Sequence, residues 1–312
     1  MPAPRKNTQP SAADLHRRRR LTAIVGALAA GIAFVAIVAV SAGSPGKWDP
    51  QQLQQGAAAE KPKMELEIQA RAAAAVIAHR AAATKRENAA IAQILTQTGS
   101  VSQGGTQNNE VALTFDDGPS AYTAGILDTL KREHVSATFF ELGNQIGSYP
   151  LAMQRAIAEG HIVGDHTWDH MDLTRLGPRD IHDEMTQQIS AVTGKALPAP
   201  KLFRPPYGAV NQEVIAQARK LGMLTVLWSI DTNDYKLPTP EAMTTQILTE
   251  VQPGSIILMH DGGGDRTSTS AALPMIIKGL RKKGFRMVTV PQLLLDNPPD
   301  AQQNGVSRTP VA

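Results

Sequence analysis

The sequence predicts an α/β protein whose parallel strands are joined by helical crossovers. Between residues 110 and 290, short apolar runs rich in β-branched and aromatic residues alternate with longer helical stretches, the rhythm of repeated strand–helix units. Residues able to do chemistry follow directly after those runs, as they would at the shared carboxyl end of parallel strands. Apolar residues make up 42% and charged residues 19% of the 312, which suits a globular chain and excludes a largely disordered one.

The amino-terminal third stands apart. Leu21 to Ala42 carries no charged side chain and follows Arg17-Arg18-Arg19-Arg20. A helix of about twenty apolar residues spans a bilayer, and the arginines should hold its start in the cytoplasm. The expectation is a signal anchor with the remainder of the chain outside the cytoplasm, periplasmic or at the cell surface. Val40-Ser41-Ala42 resembles a cleavage site, and cleavage there would make the protein secreted. Pro62 to Leu95 is Ala-rich, with Glu, Lys, Arg and Gln interspersed. It predicts a solvated helical stalk roughly 50 Å long, with self-association through it as an alternative. Thr98 to Asn109, rich in Gly, Ser, Thr, Gln and Asn, reads as a flexible hinge.

The strand–helix region follows. Glu110–Phe115 reads as a strand and Ala121–Glu133 as a helix; Ala137–Phe140 is a strand with a helix near Leu151–Glu159. Ile162–Gly164 is a short strand, Arg179–Val192 a helix, and Leu202-Phe203 leads into a turn before a helix at Gln212–Leu221. Leu224–Ile230 is a strand, and Thr239 caps a helix opened by Pro240 and running to Val251. Ser255–Met259, Ala271–Lys283 and Phe285–Val290 are strand, helix and strand. A barrel and an open doubly wound sheet both fit this pattern. The boundaries are 1–20 for a basic tail, 21–42 for the membrane helix and 43–107 for stalk and linker. The catalytic domain is 108–296, and 297–312 is a Pro-rich, polar and disordered tail.

The net charge of +3 comes largely from the four arginines, so nucleic acid is not an expected partner. With no cysteine in the chain, any metal must be held by His, Asp or Glu. Asp116-Asp117-Gly118-Pro119 and His166-Thr167-Trp168-Asp169-His170 can together supply three ligands and leave one carboxylate to handle protons. The plainer readings are a simple turn for the first and a surface histidine pair for the second. The two imidazoles share a side if that stretch is helical. Arg204-Pro205-Pro206-Tyr207-Gly208, Asp231 and Asp234, and His260-Asp261 end three further runs. His260 in that company reads as an acid or base rather than a core histidine. Gly262-Gly263-Gly264 reads as a mobile loop, since no Lys-Ser/Thr completes a phosphate cradle.

Taken in order, Thr114–Pro119, His166–His170, Arg204–Gly208, Asp231–Tyr235 and Leu258–His260 resemble the five motifs of the polysaccharide deacetylases, the NodB-homology or carbohydrate esterase family 4 domain. The resemblance covers residues 108–295. It implies a distorted (β/α) barrel of about seven parallel strands and a divalent metal, usually Zn2+ and sometimes Co2+, on Asp117, His166 and His170. It implies Asp116 as general base steered by Arg204, and His260 as general acid oriented by Asp234. The backbone N–H of Tyr207 would join the oxyanion site, and Leu258 would line an acetyl-methyl pocket. Tyr235 stands where the family commonly has Trp, which alters a pocket wall and not the reaction class.

The expected activity is removal of N-linked acetyl groups from an amino-sugar polymer. Peptidoglycan is favoured, and chitin-like or poly-N-acetylglucosamine chains come next. The alternatives are an O-acetyl xylan esterase, an amidohydrolase of small amides, or a non-catalytic wall-binding protein.

Overall fold

The computed structural model describes residues 50–299. The apolar stretch Leu21–Ala42, its arginines and the tail from residue 300 lie outside them. Among the described residues, no helix is long and apolar enough to cross a membrane. The chain divides into two compact units, Met1–Ala73 and Ala74–Ala312. Of the first, only residues 50–73 are described, as helix. Among the described residues, the second holds every strand.

Helix α1, Pro50–Gln97, begins before the expected start and contains Pro62. Its last turns are not a solvated stalk. Ile91 and Ile94 are buried in one cluster with Ala112, Phe140, Leu224, Val226 and Leu293, so this end of the helix belongs to the core. Gly99 ends it where a side chain would run into Ile215.

The hinge expected at 98–109 is also corrected. Ser100–Val101 forms strand β1, parallel to β6 (Leu224–Val226). Gly104 N–H donates to the Gly254 carbonyl and Gly105 N–H to that of Asn297, both at 2.8 Å. A Gly-rich stretch has few side chains in the way of such backbone pairing.

The strands that follow are β2 (Glu110–Asp116), β3 (Thr138–Glu141), β4 (Ile162–Asp165), β5 (Leu202–Phe203), β6, β7 (Ile230–Asp231), β8 (Ile256–His260) and β9 (Arg286–Val288). Their ladders are parallel. The paired order is β1-β6-β5-β4-β3-β2-β8-β7, with β9 also on β2. Strands β6 and β7 are far apart on that path, yet Leu227–Ser229 alone separates them in sequence. The path therefore returns on itself, and the sheet is a distorted parallel barrel with its seam at this interruption. The single strand expected at Leu224–Ile230 is thus two. Between them Leu227 N–H turns to the Val101 carbonyl and Ser229 N–H to that of Ile256.

Alternation along the strands sorts their side chains. Leu113, Phe115, Phe139, Val163, Ile257 and Met259 point outward under helices α2 (Thr123–Arg132), α4 (Pro150–Ala158) and α8 (Thr267–Lys282). Ala112, Phe140 and Ile256 point into the barrel, and by the same parity so do Thr114, Asp116, Leu258 and His260. Helices α3 (Gly143–Ile146), α5 (Pro178–Thr193), α6 (Gln212–Lys220) and α7 (Pro240–Glu250) complete the crossovers. Thr239 caps α7, its Oγ1 accepting from Ala242 N–H at 3.2 Å. Thr289 does the same for α9 (Val290–Asp296), a helix not expected from the sequence.

A cavity of about 730 Å3 at the amino end of the barrel is bordered by Arg80, Glu87, His161 and Lys201. None of the expected site residues lines it.

Candidate active site

Because the strands run parallel, the loops after β2, β4, β5, β7 and β8 open at one end, and they carry the five segments singled out above. Asp116 ends β2 and His260 ends β8, and the two are directly paired in register. Arg204 follows β5, and its N–H donates to the Asp165 carbonyl at the end of β4.

The metal candidates gather. Asp117 Oδ1 lies 3.3 Å from His166 Nε2 and 3.2 Å from His170 Nε2. One ligand atom from each of the three residues falls within 4.8 Å of the others. The donor set fits a divalent cation on two further grounds. Asp117 Oδ1 is buried without a hydrogen-bond partner, a state that a buried carboxylate oxygen rarely tolerates. His166 Nδ1 sits 2.7 Å from the Arg204 carbonyl. A carbonyl can only accept, so Nδ1 carries the proton and Nε2 presents its lone pair to the site.

The pair His166 and His170 is not helical. Thr167 and His170 have φ of 72° and 71°, and the segment is a loop tied down by its neighbours. Thr167 N–H donates to Asp165 Oδ1, His170 N–H to Thr167 Oγ1, and Trp168 N–H to Glu184 Oε2. The Thr167 and Trp168 carbonyls accept from Gly143 and Asn144. The imidazoles converge through this folded loop rather than by helical periodicity.

Asp116 is held differently. Arg204, fully buried, donates from Nη1 to Asp116 Oδ1 and to Thr114 Oγ1, both at 2.8 Å. Its Nε and Nη2 donate to the carbonyls of Val226 and Leu227 at the barrel seam, and its guanidinium stacks 4.1 Å over Phe140. With every arm engaged, Arg204 fixes one carboxylate oxygen and leaves Oδ2, 3.8 Å from His166 Nε2, facing the trio.

His260 and Asp234 form a second pair. His260 Nδ1 lies 2.6 Å from Asp234 Oδ1, and its backbone N–H donates to Oδ2, which also accepts from Thr269 Oγ1. Burial alone would lower the imidazole, but the Asp234 hydrogen bond and nearby carboxylates outweigh it and push His260 up to about 9. Burial likewise opposes ionisation of Asp117, and His166, His260 and His170 together hold it well below the usual carboxylate range. Burial, with His166 beside it, pulls His170 down, towards the neutral form a metal needs.

Other residues take up positions that their sequence context left open. Asp231 ends β7 and ties down the turn that follows, its Oδ1 accepting from Asn233 N–H. Tyr207 is exposed, with its ring edge-on to His170 at 4.5 Å. Tyr235 is exposed, 6.0 Å from the His260 ring, with its hydroxyl donating to Asn233 Oδ1. Leu258 is buried two residues before His260 on the same inward face.

Sequence reasoning missed Thr114 and Thr269 as hydrogen-bond partners of Arg204 and Asp234. It also missed Glu141 and gave no role to Asp261, both buried carboxyls that burial pushes upward. Glu141 ends an apolar strand, and a charged residue in such a run was the available signal. Nothing short of the fold pairs the threonines. In the Gly262-Gly263-Gly264 run, read as a mobile loop, the first two glycines are packed against Asp117.

Comparison with known proteins agrees with this geometry. A family model described as polysaccharide deacetylase matches residues 103–226. The chain is 40% identical over 187 residues to a peptidoglycan-N-acetylglucosamine deacetylase of Listeria monocytogenes, covering 60% of this chain and 39% of that protein. It is thus matched over well under half of that relative's length. A chitooligosaccharide deacetylase of a Bradyrhizobium species is 38% identical over 196 residues, covering 59% of this chain and 90% of the relative. Among solved structures, the Bc1960 peptidoglycan N-acetylglucosamine deacetylase superposes with a TM-score of 0.62 at 36% identity, over 64% of this chain and 94% of its own. With the five segments converged at one barrel mouth and a relative matched over nearly its whole length, the chain belongs to the polysaccharide deacetylase family.

Proposed function

We propose that the protein is a metal-dependent hydrolase that removes N-linked acetyl groups from N-acetylated amino sugars in a polymer, with peptidoglycan the favoured substrate. The observation that carries this reading is the unequal treatment of two adjacent carboxylates. Asp117 turns a bare, buried oxygen to two imidazoles, whereas Asp116 is steered by Arg204 and keeps one oxygen free beside them. The names of the relatives support the substrate class: the Listeria protein is named for peptidoglycan N-acetylglucosamine, the Bradyrhizobium protein for chitooligosaccharides.

Asp117, His166 and His170 would hold the cation. A carboxylate with two imidazoles suits Zn2+, and Co2+ accepts the same set. When bound, such a cation polarises the amide carbonyl and lowers the pKa of water. The remaining work falls to groups of the chain itself. Asp116 Oδ2 takes the proton of the attacking water, while Arg204 keeps that carboxylate aimed. The Tyr207 N–H donates to the oxygen on which negative charge gathers. An amine leaves poorly unless protonated, and His260 supplies that proton from Nε2, its Nδ1 being committed to Asp234. Leu258 lines the acetyl-methyl pocket and Tyr235 one of its walls. The apolar stretch Leu21–Ala42 behind four arginines supports an exported, membrane-anchored placement that sets such an enzyme near the wall.

Acetate release from defined glycans, with and without chelator, tests the proposal. Chelator-sensitive release from N-acetylglucosamine polymers is expected. Release from O-acetyl xylan alone would replace the amide reading with the ester one, and glycan binding without any release would end the enzymatic reading.

A further inference from the structure

The loop Asp261–Arg266 after β8 interlocks with the loop that carries Asp117. Asp261 N–H and Gly262 N–H both donate to the Asp116 carbonyl, at 3.0 and 3.2 Å. Ser120 Oγ donates back to the Asp261 carbonyl, and Thr123 Oγ1 to its carboxylate. Arg266, buried, anchors the far side, its Nε donating to the Gly262 carbonyl at 2.6 Å.

Inside this interlock two glycines lie flat against Asp117. A Cβ at Gly262 would overlap the Asp117 carbonyl, and one at Gly263 would overlap Asp117 Oδ2. With Oδ2 backed by Gly263, only Oδ1 is turned to His166 and His170. We propose that Gly262 and Gly263, braced by Arg266, are positioning residues that fix the Asp117 carboxylate so that Oδ1 alone meets the metal. The Gly-rich run thus serves as a backstop. This rests on the metal site proposed above.

Gly263 offers a clean probe. At Gly262 the atoms that would have to move are backbone, whereas at Gly263 they are the tip of the Asp117 side chain, which can rotate. Gly263→Ala should therefore fold and misplace the ligand. Gly263 also has φ of 71°, so an alanine there is strained in any case. Gly222 is the control: its φ is 73°, and no atom lies within 4 Å of the place its Cβ would take.

The experiment titrates apo protein with Zn2+ against a chromophoric chelator and records the visible spectrum of the Co2+ form. Gly263→Ala should bind Zn2+ about tenfold more weakly, the scale of lost ligand support, and shift the Co2+ bands. Gly222→Ala should lose thermal stability and keep both the wild-type affinity and the spectrum. Arg266→Met should weaken Zn2+ binding without touching a positive-φ position. Wild-type affinity and an unaltered Co2+ spectrum in both Gly263→Ala and Arg266→Met would overturn the positioning role. Failure of the wild-type protein to take up metal would instead overturn the metal site itself.

Discussion

Replacing Asp234 by Asn tests the acid half of the mechanism most directly. Asp234 grips His260 twice, at Nδ1 and at the backbone N–H, and is itself fixed by Thr269. His260 is held near 9 against an unperturbed 6.5, a difference of about 2.5 units or roughly 3 kcal/mol in favour of the imidazolium. A raised folded-state pKa contributes stability that is fully present below 6.5 and is lost as pH rises through 9. A general acid must be protonated, so activity should fall on the alkaline side. A cation at the trio opposes the pull of Asp117, so the alkaline limb of the loaded enzyme lies below 9. Metal-loaded wild type and metal-loaded variant are therefore the proper pair. In Asp234→Asn the carboxylate charge is gone, burial dominates, and the limb should move towards or below 6.5. Ionisation alone then lowers kcat/KM by about tenfold at pH 7.5. The assay is acetate release between pH 5.5 and 10 on one glycan. A limb that stays in place would refute the assignment of His260 as the acid oriented by Asp234.

Four further outcomes follow from the same contacts. Asp117→Ala should lose metal, while Asp116→Asn should keep it and lose about 100- to 10,000-fold in kcat; metal content alongside kinetics separates them. Arg204→Met strips a buried carboxylate of its partner, which costs about 3–5 kcal/mol and should lower Tm by roughly 10 °C in a thermal melt. Ile91→Ala should cost about 2–5 kcal/mol in denaturant unfolding, because the end of α1 is core; a change near zero would return it to the status of a free stalk. Gly164→Ala places a Cβ 2.5 Å from Phe140 inside the barrel and should destabilise by about 1–3 kcal/mol without altering metal affinity.

The alternation of strands and helices was legible because burial imposes it: inward and outward parity along β2 and β8 recurs as apolar runs, and Thr239-Pro240 announces its own helix. The clustering of acids and histidines after those runs was legible because parallel strands end together. What stayed hidden is held by backbone. Residues 98–105 have few distinctive side chains, yet their backbone pairs with β6, Gly254 and Asn297. The break after Val226 exists because Leu227 and Ser229 donate to different neighbours, a choice no local pattern encodes. The role of the glycine run was invisible for a similar reason: what matters at Gly262 and Gly263 is the missing Cβ against Asp117, a contact across 145 residues of sequence or more.

The same logic accounts for where the backbone is strained. Among the described residues, eight non-glycine positions have positive φ. Two of them, His134 and Ala196, lie just past helices α2 and α5, where a left-handed residue is ordinary. The other six, Asp117, Thr167, His170, Tyr207, Asn233 and Leu237, all sit in loops at the carboxyl end of the barrel. Each conformation suits glycine and costs roughly 1–3 kcal/mol for another residue. Glycine at Asp117 or His170 would relieve that cost and delete a proposed ligand. At Tyr207 it would remove the ring that packs on His170. At Asp117, His170 and Tyr207 the proposed site uses side chains that the backbone conformation disfavours. The surrounding hydrogen bonds, such as those of Asp165 to Thr167 and Thr167 to His170, hold the geometry in place. Substituting Asp165 by Ala should therefore loosen the His166–His170 loop and weaken Zn2+ binding, although Asp165 touches no metal ligand atom. Unchanged affinity in that variant would show that the loop keeps its shape without this support.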